Sequence, residues 1–270
     1  MSNEIWPHAT PQHPCPICGK PDWCSFGARA MLCRRVESVH SCTSGGWYHF
    51  YDDAKPDFLP HLQHHKAPPQ IDASVIMEHW RRVEDRAEFD RAVAALGVSY
   101  LSMRQLRACW ADTKKALAFP MSDAQCDIGI RLRNASGFKW AMPGSHNGVF
   151  MPCGFDPVRL LFIPEGPTNT AAFLTMGLYA VGRPNATGGN QYINDAIKLM
   201  GCHKAVIVAD NDKDTTCAGY QGALKLKKEL RVKSCIWIPP SPFKDVRDFM
   251  LAGGNAEVIM SDIRGKIWTR

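Results

Sequence analysis

Glu165, Asp210 and Asp212 are the acids in this sequence whose positions let them act together. Each follows a short apolar run. Leu160 to Ile163 leads into Pro164-Glu165-Gly166, and Ala205 to Ala209 leads into Asp210-Asn211-Asp212-Lys213-Asp214. Both runs read as buried strands of a parallel sheet. Side chains just beyond the carboxyl ends of such strands face the crevice where open α/β sheets hold ligands. Carboxylates gathered there repel one another, so a cation must accompany them. A hard, oxygen-seeking ion such as Mg²⁺ (or Mn²⁺) is the natural partner, with Asp214 as an additional ligand. Ions held between carboxylates and substrate phosphates serve phosphoryl transfer. One acid at a strand-to-helix junction is explained by helix capping, but a converging group is not.

A second group lies at the amino end. Cys15-Pro16-Ile17-Cys18 is a C-x-x-C knuckle, and Cys24 and Cys33 flank a hairpin turn at Gly27-Ala28-Arg29-Ala30. The hairpin brings Cys24 and Cys33 towards the knuckle, which gives a Cys₄ set for Zn²⁺. His40 or Cys42 could stand in for Cys24. With eleven cysteines and no secretion signal, a disulfide framework is not expected. A head of some fifty residues has little core, and a structural metal gives it a reason to fold.

A third group is basic. Arg131 and Arg133 alternate on one face of the run Ile128 to Arg133, and Lys139 on the following strand can join them. Paired guanidinium forks suit phosphate. Arg34 and Arg35, with Trp23 and Arg29 near them, are candidates for nucleic-acid contact in the head. Trp47 and Tyr48 read as packing residues. Gly182 to Asn190 is a glycine-rich turn able to cradle phosphate, but no G-x-x-x-x-G-K-[ST] motif occurs in the chain.

These groups need elements to position them. Residues 1–52 form the cysteine-rich head. Residues 53–71 are a proline- and histidine-rich linker. Residues 72–158 hold a helical segment and a basic antiparallel subdomain, and 159–270 alternate strand and helix. Asp72 is placed to cap a first helix, a second runs from Glu88 to Leu96 with Gly97 as its C-cap, and Ser99 caps a third reaching Trp110. ALAFPM, DIGIRLR, FKWAMP and GVFMP read as short strands. The net charge of +6 permits nucleic-acid binding without requiring it. No apolar run is long enough to span a membrane and the start shows no signal peptide, so a cytoplasmic location with no membrane partner is expected.

The EG at Glu165-Gly166 and the D-x-D at Asp210 to Asp212, followed by Lys244-Asp245-Val246-Arg247-Asp248, resemble the Toprim domain and the KD-x-x-D segment of bacterial-type DNA primases. Glu165 to Ala172 is similar to the strand-to-helix turn of phage and plasmid primases. The resemblance covers about residues 115–255 and, more loosely, the cysteine-rich head, since such primases also begin with a zinc-binding module. It implies an α/β Toprim fold, doubly wound around a mainly parallel sheet. A small mixed α+β basic subdomain and an amino-terminal zinc-ribbon-like module would precede it.

It implies Glu165 as metal ligand or general base and Asp210 and Asp212 as Mg²⁺ ligands. Asp245 would support a second metal, Lys244 would face a triphosphate, and Arg131, Arg133 and Lys139 would hold template or nucleotide. The implied activity is synthesis of short RNA primers on single-stranded DNA from ribonucleoside triphosphates, in a phage, plasmid or other mobile element. A separate replicative helicase would be the partner. A Toprim-type nuclease, or a non-catalytic zinc/Toprim protein binding single-stranded DNA, are the alternatives. Two departures stand out. Related primases often carry another acid soon after EG, where this chain has Thr168-Asn169-Thr170, and Ala218-Gly219 follows the D-x-D later than usual.

Overall fold

The computed structural model describes residues 6–27, 30–42, 45–50, 70–154, 157, 159–186, 188–211, 218–266 and 268. They fall into two compact units. One comprises the first 71 residues together with Arg131–Ser145. The other comprises Asp72–Ile130 and His146–Arg270.

In the first unit, β1 (Ser25–Phe26), β2 (Ala30–Cys33), β3 (His40–Ser41) and β4 (Trp47–Phe50) form a sheet of order β1-β2-β4-β3. The hairpin expected between Cys24 and Cys33 is β1–β2, with Ser25 opposite Leu32 and Phe26 opposite Met31. Its small core is mostly the cysteines themselves, with Ile17 and Met31.

The second unit begins with three short helices: α1 (Ala73–Arg82), α2 (Arg86–Leu96) and α3 (Tyr100–Gln105). Asp72 Oδ1 accepts the Val75 amide at 3.0 Å, Asp85 Oδ1 accepts those of Ala87 and Glu88, and Ser99 Oγ accepts that of Ser102. Each satisfies amides that a helix start leaves without partners. The second helix thus starts at Arg86, ahead of Glu88, because Asp85 is the cap. The third stops well before Trp110, which lies in β5 (Cys109–Ala111). Arg107 turns the chain there with φ 55°, and both ends of its guanidinium bind Asp127 at 2.8 and 2.7 Å. That contact is twenty residues distant in sequence, beyond the reach of helical periodicity.

β5 pairs antiparallel with β6 (Ala116–Ser122), and β7 (Asp127–Asn134) follows. Ile130 and Leu132 of β7 are buried while Arg131 and Arg133 are only partly so, the alternation of a strand with one wet face. In the first unit the end of β7 pairs with β8 (Lys139–Ala141), with Arg133 opposite Lys139. GVFMP, expected as a strand, makes only two antiparallel bridges: Val149 to Ser122 and Phe150 to Gly182.

From Leu160 onward the chain builds a three-stranded parallel sheet, β9 (Leu160–Ile163), β10 (Lys204–Val208) and β11 (Lys233–Trp237), in the order β11-β10-β9. Alternate residues bury on opposite faces. Phe162, Val206, Val208 and Trp237 join one core cluster with Phe173 of α4 (Pro167–Thr175), Phe249 of α7 (Val246–Leu251) and Ile259 of α8 (Ala256–Arg264). Leu161, Ile163, Ala205 and Ile207 join another with Ile193 of α5 (Asn190–Leu199) and Leu226 of α6 (Ala218–Glu229). A sheet covered on both faces explains the unbroken apolar runs LLFI and AVIV. Beyond β9, Ala180 and Arg183 bridge in parallel to Phe162 and Glu165.

Among the described residues no helix is long and apolar enough to cross a membrane.

Candidate functional site

Glu165 lies at the carboxyl end of β9 and Asp210 just past the end of the adjacent β10; both are half-buried. Gly166 makes the turn into α4 with φ 79° and ψ 158°, backbone open to glycine alone. The turn sets Asn169 in the first part of α4, where its Nδ2 donates to Asp210 Oδ1 at 3.4 Å. Asn169 is 4% exposed and its Oδ1 has no hydrogen-bond partner. The Asp210 carboxylate is therefore tied to the first part of α4, the helix that begins just after Glu165.

A residue that sequence reasoning had left inside the glycine-rich turn stands behind them. Arg183 is wholly buried and pairs through its backbone on both sides of Glu165: its amide donates to Pro164 O at 2.8 Å, and its carbonyl accepts the Gly166 amide at 2.7 Å. Burial pushes the guanidinium below its usual range, while Glu165 and Asp210 pull it back up. One signal could have revealed it. Arg183 follows an apolar run, Leu178 to Gly182, just as Glu165 and Asp210 follow theirs.

Asp212 and Asp214 lie outside the described residues. The other expected groups divide. Asn211 donates its amide to Lys244 O at 2.7 Å, and its Nδ2 reaches Phe243 O at 3.2 Å, so the KD-x-x-D segment is tied to the end of β10. Lys244 is exposed there. Asp245, expected as an ion ligand, instead caps α7, its Oδ1 accepting the Asp248 amide at 2.9 Å. Arg247 turns towards Leu96 O, 3.5 Å away, rather than towards a ligand site. The donor set at Glu165, Asp210 and the orphaned Asn169 Oδ1 is all oxygen, which fits a hard divalent ion.

In the first unit, Cys15, Cys18, Cys24 and Cys33 are fully buried, and their sulfurs all lie within 4.8 Å of one another. The geometry brings in Cys24 as the fourth member. Cys42 Sγ instead contacts Tyr48 Oη at 3.0 Å, and His40 is exposed on β3 against Phe50. Crowding sets the four thiols against each other. Contacts with Cys15, Cys24 and Cys33 pull Cys18 down, while Cys15, Cys18 and Cys24 push Cys33 up. A bound divalent cation lets all four lose their protons, and four convergent sulfurs fit Zn²⁺.

Arg35, expected on nucleic acid, is turned inward. It is 6% exposed, bonds Asp22 Oδ1 at 2.6 Å and Asp22 O at 2.8 Å, and approaches Cys18 Sγ at 3.7 Å. Its charge faces Asp22 and the sulfur of Cys18, and in this buried position it is turned away from solvent. Arg34 is half-buried and donates to Gly45 O. Arg131 and Arg35 each lie over the Trp23 ring, 4.7 and 4.9 Å from its centroid. The same unit contains a cavity of 570 Å³ lined by Trp47, Phe138 and Trp140 with Glu37, Asn134 and Ser136, which sequence reasoning did not find.

By sequence, no family model matches the chain and no curated protein matches it. Solved structures do. A DnaG catalytic core aligns with a TM-score of 0.56 at 11% identity, over 73% of this chain and 80% of that one. The E. coli primase catalytic core gives 0.54 at 12%, over 73% and 78%. The primase fragment of the bacteriophage T7 primase-helicase protein gives 0.53 at 14%, over 95% and 99%. The fold of this chain is that of primase catalytic cores. Glu165 and Asp210 thus follow the paired strands β9 and β10, Asn169 bonds Asp210, and Arg183 is the bridge partner of Glu165.

Proposed function

We propose that the protein is a DNA primase, which joins ribonucleoside triphosphates into short RNA primers on single-stranded DNA. The observation that carries this is the link from Asn169 to Asp210 beside Glu165, on a primase-core fold. In this reading residues 159–270 are a Toprim domain, and residues 1–52 are a zinc module whose Cys15, Cys18, Cys24 and Cys33 hold Zn²⁺.

Mg²⁺ or Mn²⁺, when bound, supplies a Lewis acid for the triphosphate and a template for the attacking and leaving oxygens. Glu165 and Asp210 would hold it, together with Asp212 and Asp214, which follow Asp210 in the sequence. Glu165 also takes the proton of the primer 3′-hydroxyl. That oxygen then attacks the α-phosphorus, the new P–O bond forms, the bond to the bridging α–β oxygen breaks, and pyrophosphate leaves with that electron pair. Exposed Lys244, beside the end of β10, offers its charge to the leaving phosphates. Arg131, Arg133 and Lys139 grip the template backbone, and the aromatic cavity at Trp47, Phe138 and Trp140 suits an unstacked base. One structure with this fold is a DnaG catalytic domain bound to single-stranded DNA, which supports that template class. A separate helicase would open duplex ahead of the protein.

The test is incubation of the purified protein with single-stranded DNA, labelled ribonucleotides and Mg²⁺. Short RNA products are expected, reduced at least 100-fold by Glu165→Gln. Cleaved DNA without RNA would assign the site to a nuclease, and a DNA gel shift with neither product to a binding protein.

A further inference from the structure

We propose that Arg183 is a built-in cation of the acidic site: a positioning residue whose buried guanidinium offsets part of the charge on Glu165 and Asp210 and thereby weakens and sets their hold on divalent ions. The inference rests on the reading of these carboxylates as an ion site.

The placement is fixed by backbone. Arg183 is the parallel-bridge partner of Glu165, and hydrogen bonds on either side of Glu165 lock the two strands in that register. Paired residues of a parallel bridge project to the same side of the sheet. Gly182 makes the close approach possible, since a Cβ there would sit 2.0 Å from Thr170 Oγ1 on α4.

The side chain does more than pin its own loop. Nη1 donates to Ala186 O at 2.8 Å, which holds the turn. Nε and Nη2 are buried and have no hydrogen-bond partner. Holding Ala186 O takes one N–H, so loop-pinning leaves Nε and Nη2 of the guanidinium fork unexplained. Unsatisfied buried N–H groups are costly, and an arginine keeps its charge even when buried. What faces that charge is the field of Glu165 and Asp210. With no exposure at all, the fork is closed to a substrate phosphate in this arrangement. Its role is therefore exerted through the carboxylates. A cation already behind them lets Glu165 and Asp210 converge before any ion arrives, and it subtracts one charge from what the ion feels.

Mn²⁺ binding to the full chain, without DNA or nucleotide, is read by the electron paramagnetic resonance of the free ion. Arg183→Met is expected to bind Mn²⁺ about tenfold more tightly than wild type or more. Arg183→Lys, which keeps the charge, is expected to stay within about threefold of wild type. The melting temperature of Arg183→Met should also rise more steeply with added Mn²⁺, because the ion replaces the lost charge. Equal affinities for wild type and Arg183→Met overturn the inference while leaving the ion site standing. So does a Met variant that stays unfolded at saturating Mn²⁺, because the arginine would then do something an ion's charge cannot. If wild-type protein and Glu165→Gln bind Mn²⁺ equally, or neither binds it, the ion-site reading falls and the inference goes with it.

Discussion

Gly166 shows how one residue sets the geometry of the acidic site. Its φ of 79° with ψ 158° lets the chain leave β9 and enter α4 within one residue of Glu165. A Cβ would meet no neighbour there, so the demand is on backbone conformation and not on space. Gly166→Ala should therefore cost about 1–2 kcal/mol, seen as a fall of roughly 3–6 °C in Tm, without a cavity or clash to relieve. An unchanged Tm would show that the turn relaxes to another conformation. Asn169 is a residue-scale departure of another kind. It follows EG where the resemblance to primases implies an acid, yet it reaches Asp210 through an amide. The site loses a negative charge there and has Arg183 beside it, so both differences make the cluster less negative than a set of acids alone.

At the scale of elements, the cysteine cluster of the head depends on one hairpin. β1 and β2 carry Cys24 and Cys33 back to the knuckle, and the core they build consists largely of those cysteines. Removing a bound ion should loosen the β1–β2 hairpin from the knuckle, since the core they share is mostly cysteine. The measurement is the rate at which a thiol reagent labels the protein before and after chelation. Cys15, Cys18, Cys24 and Cys33 should become reactive together only after chelation, and Cys24→Ser should expose the other three without it. Slow labelling that is equal before and after chelation would mean that burial alone protects the sulfurs. The hairpin was legible from the spacing of its cysteines around Gly27, because such turns are local. The end of α3 was not. Its period continues on paper to Trp110, but the pairing of Arg107 with Asp127 turns the chain into β5.

For the whole molecule, charge is distributed between two tasks. The net charge is +6, yet the acids sit at the parallel sheet and the basic face of β7 and β8 lies in the other unit. If that face grips phosphates, replacing Arg133 and Lys139 together by alanine should reduce the slope of log K against log salt by about 1–2 for single-stranded DNA, almost regardless of sequence. A slope equal to that of wild type would remove these residues from the interface.

The sequence by itself determined what adjacent residues settle: apolar runs that must be buried, caps at Asp72 and Ser99, the knuckle, and the order of the acidic motifs. Tertiary structure decided what depends on partners far along the chain. It turned Arg35 inward to Asp22 and set Arg183 behind Glu165. A charged side chain looks alike in sequence whether it meets water, a thiolate or a carboxylate. Only the folded register of strands fixes which of these it meets, and with it the cost of burying the charge.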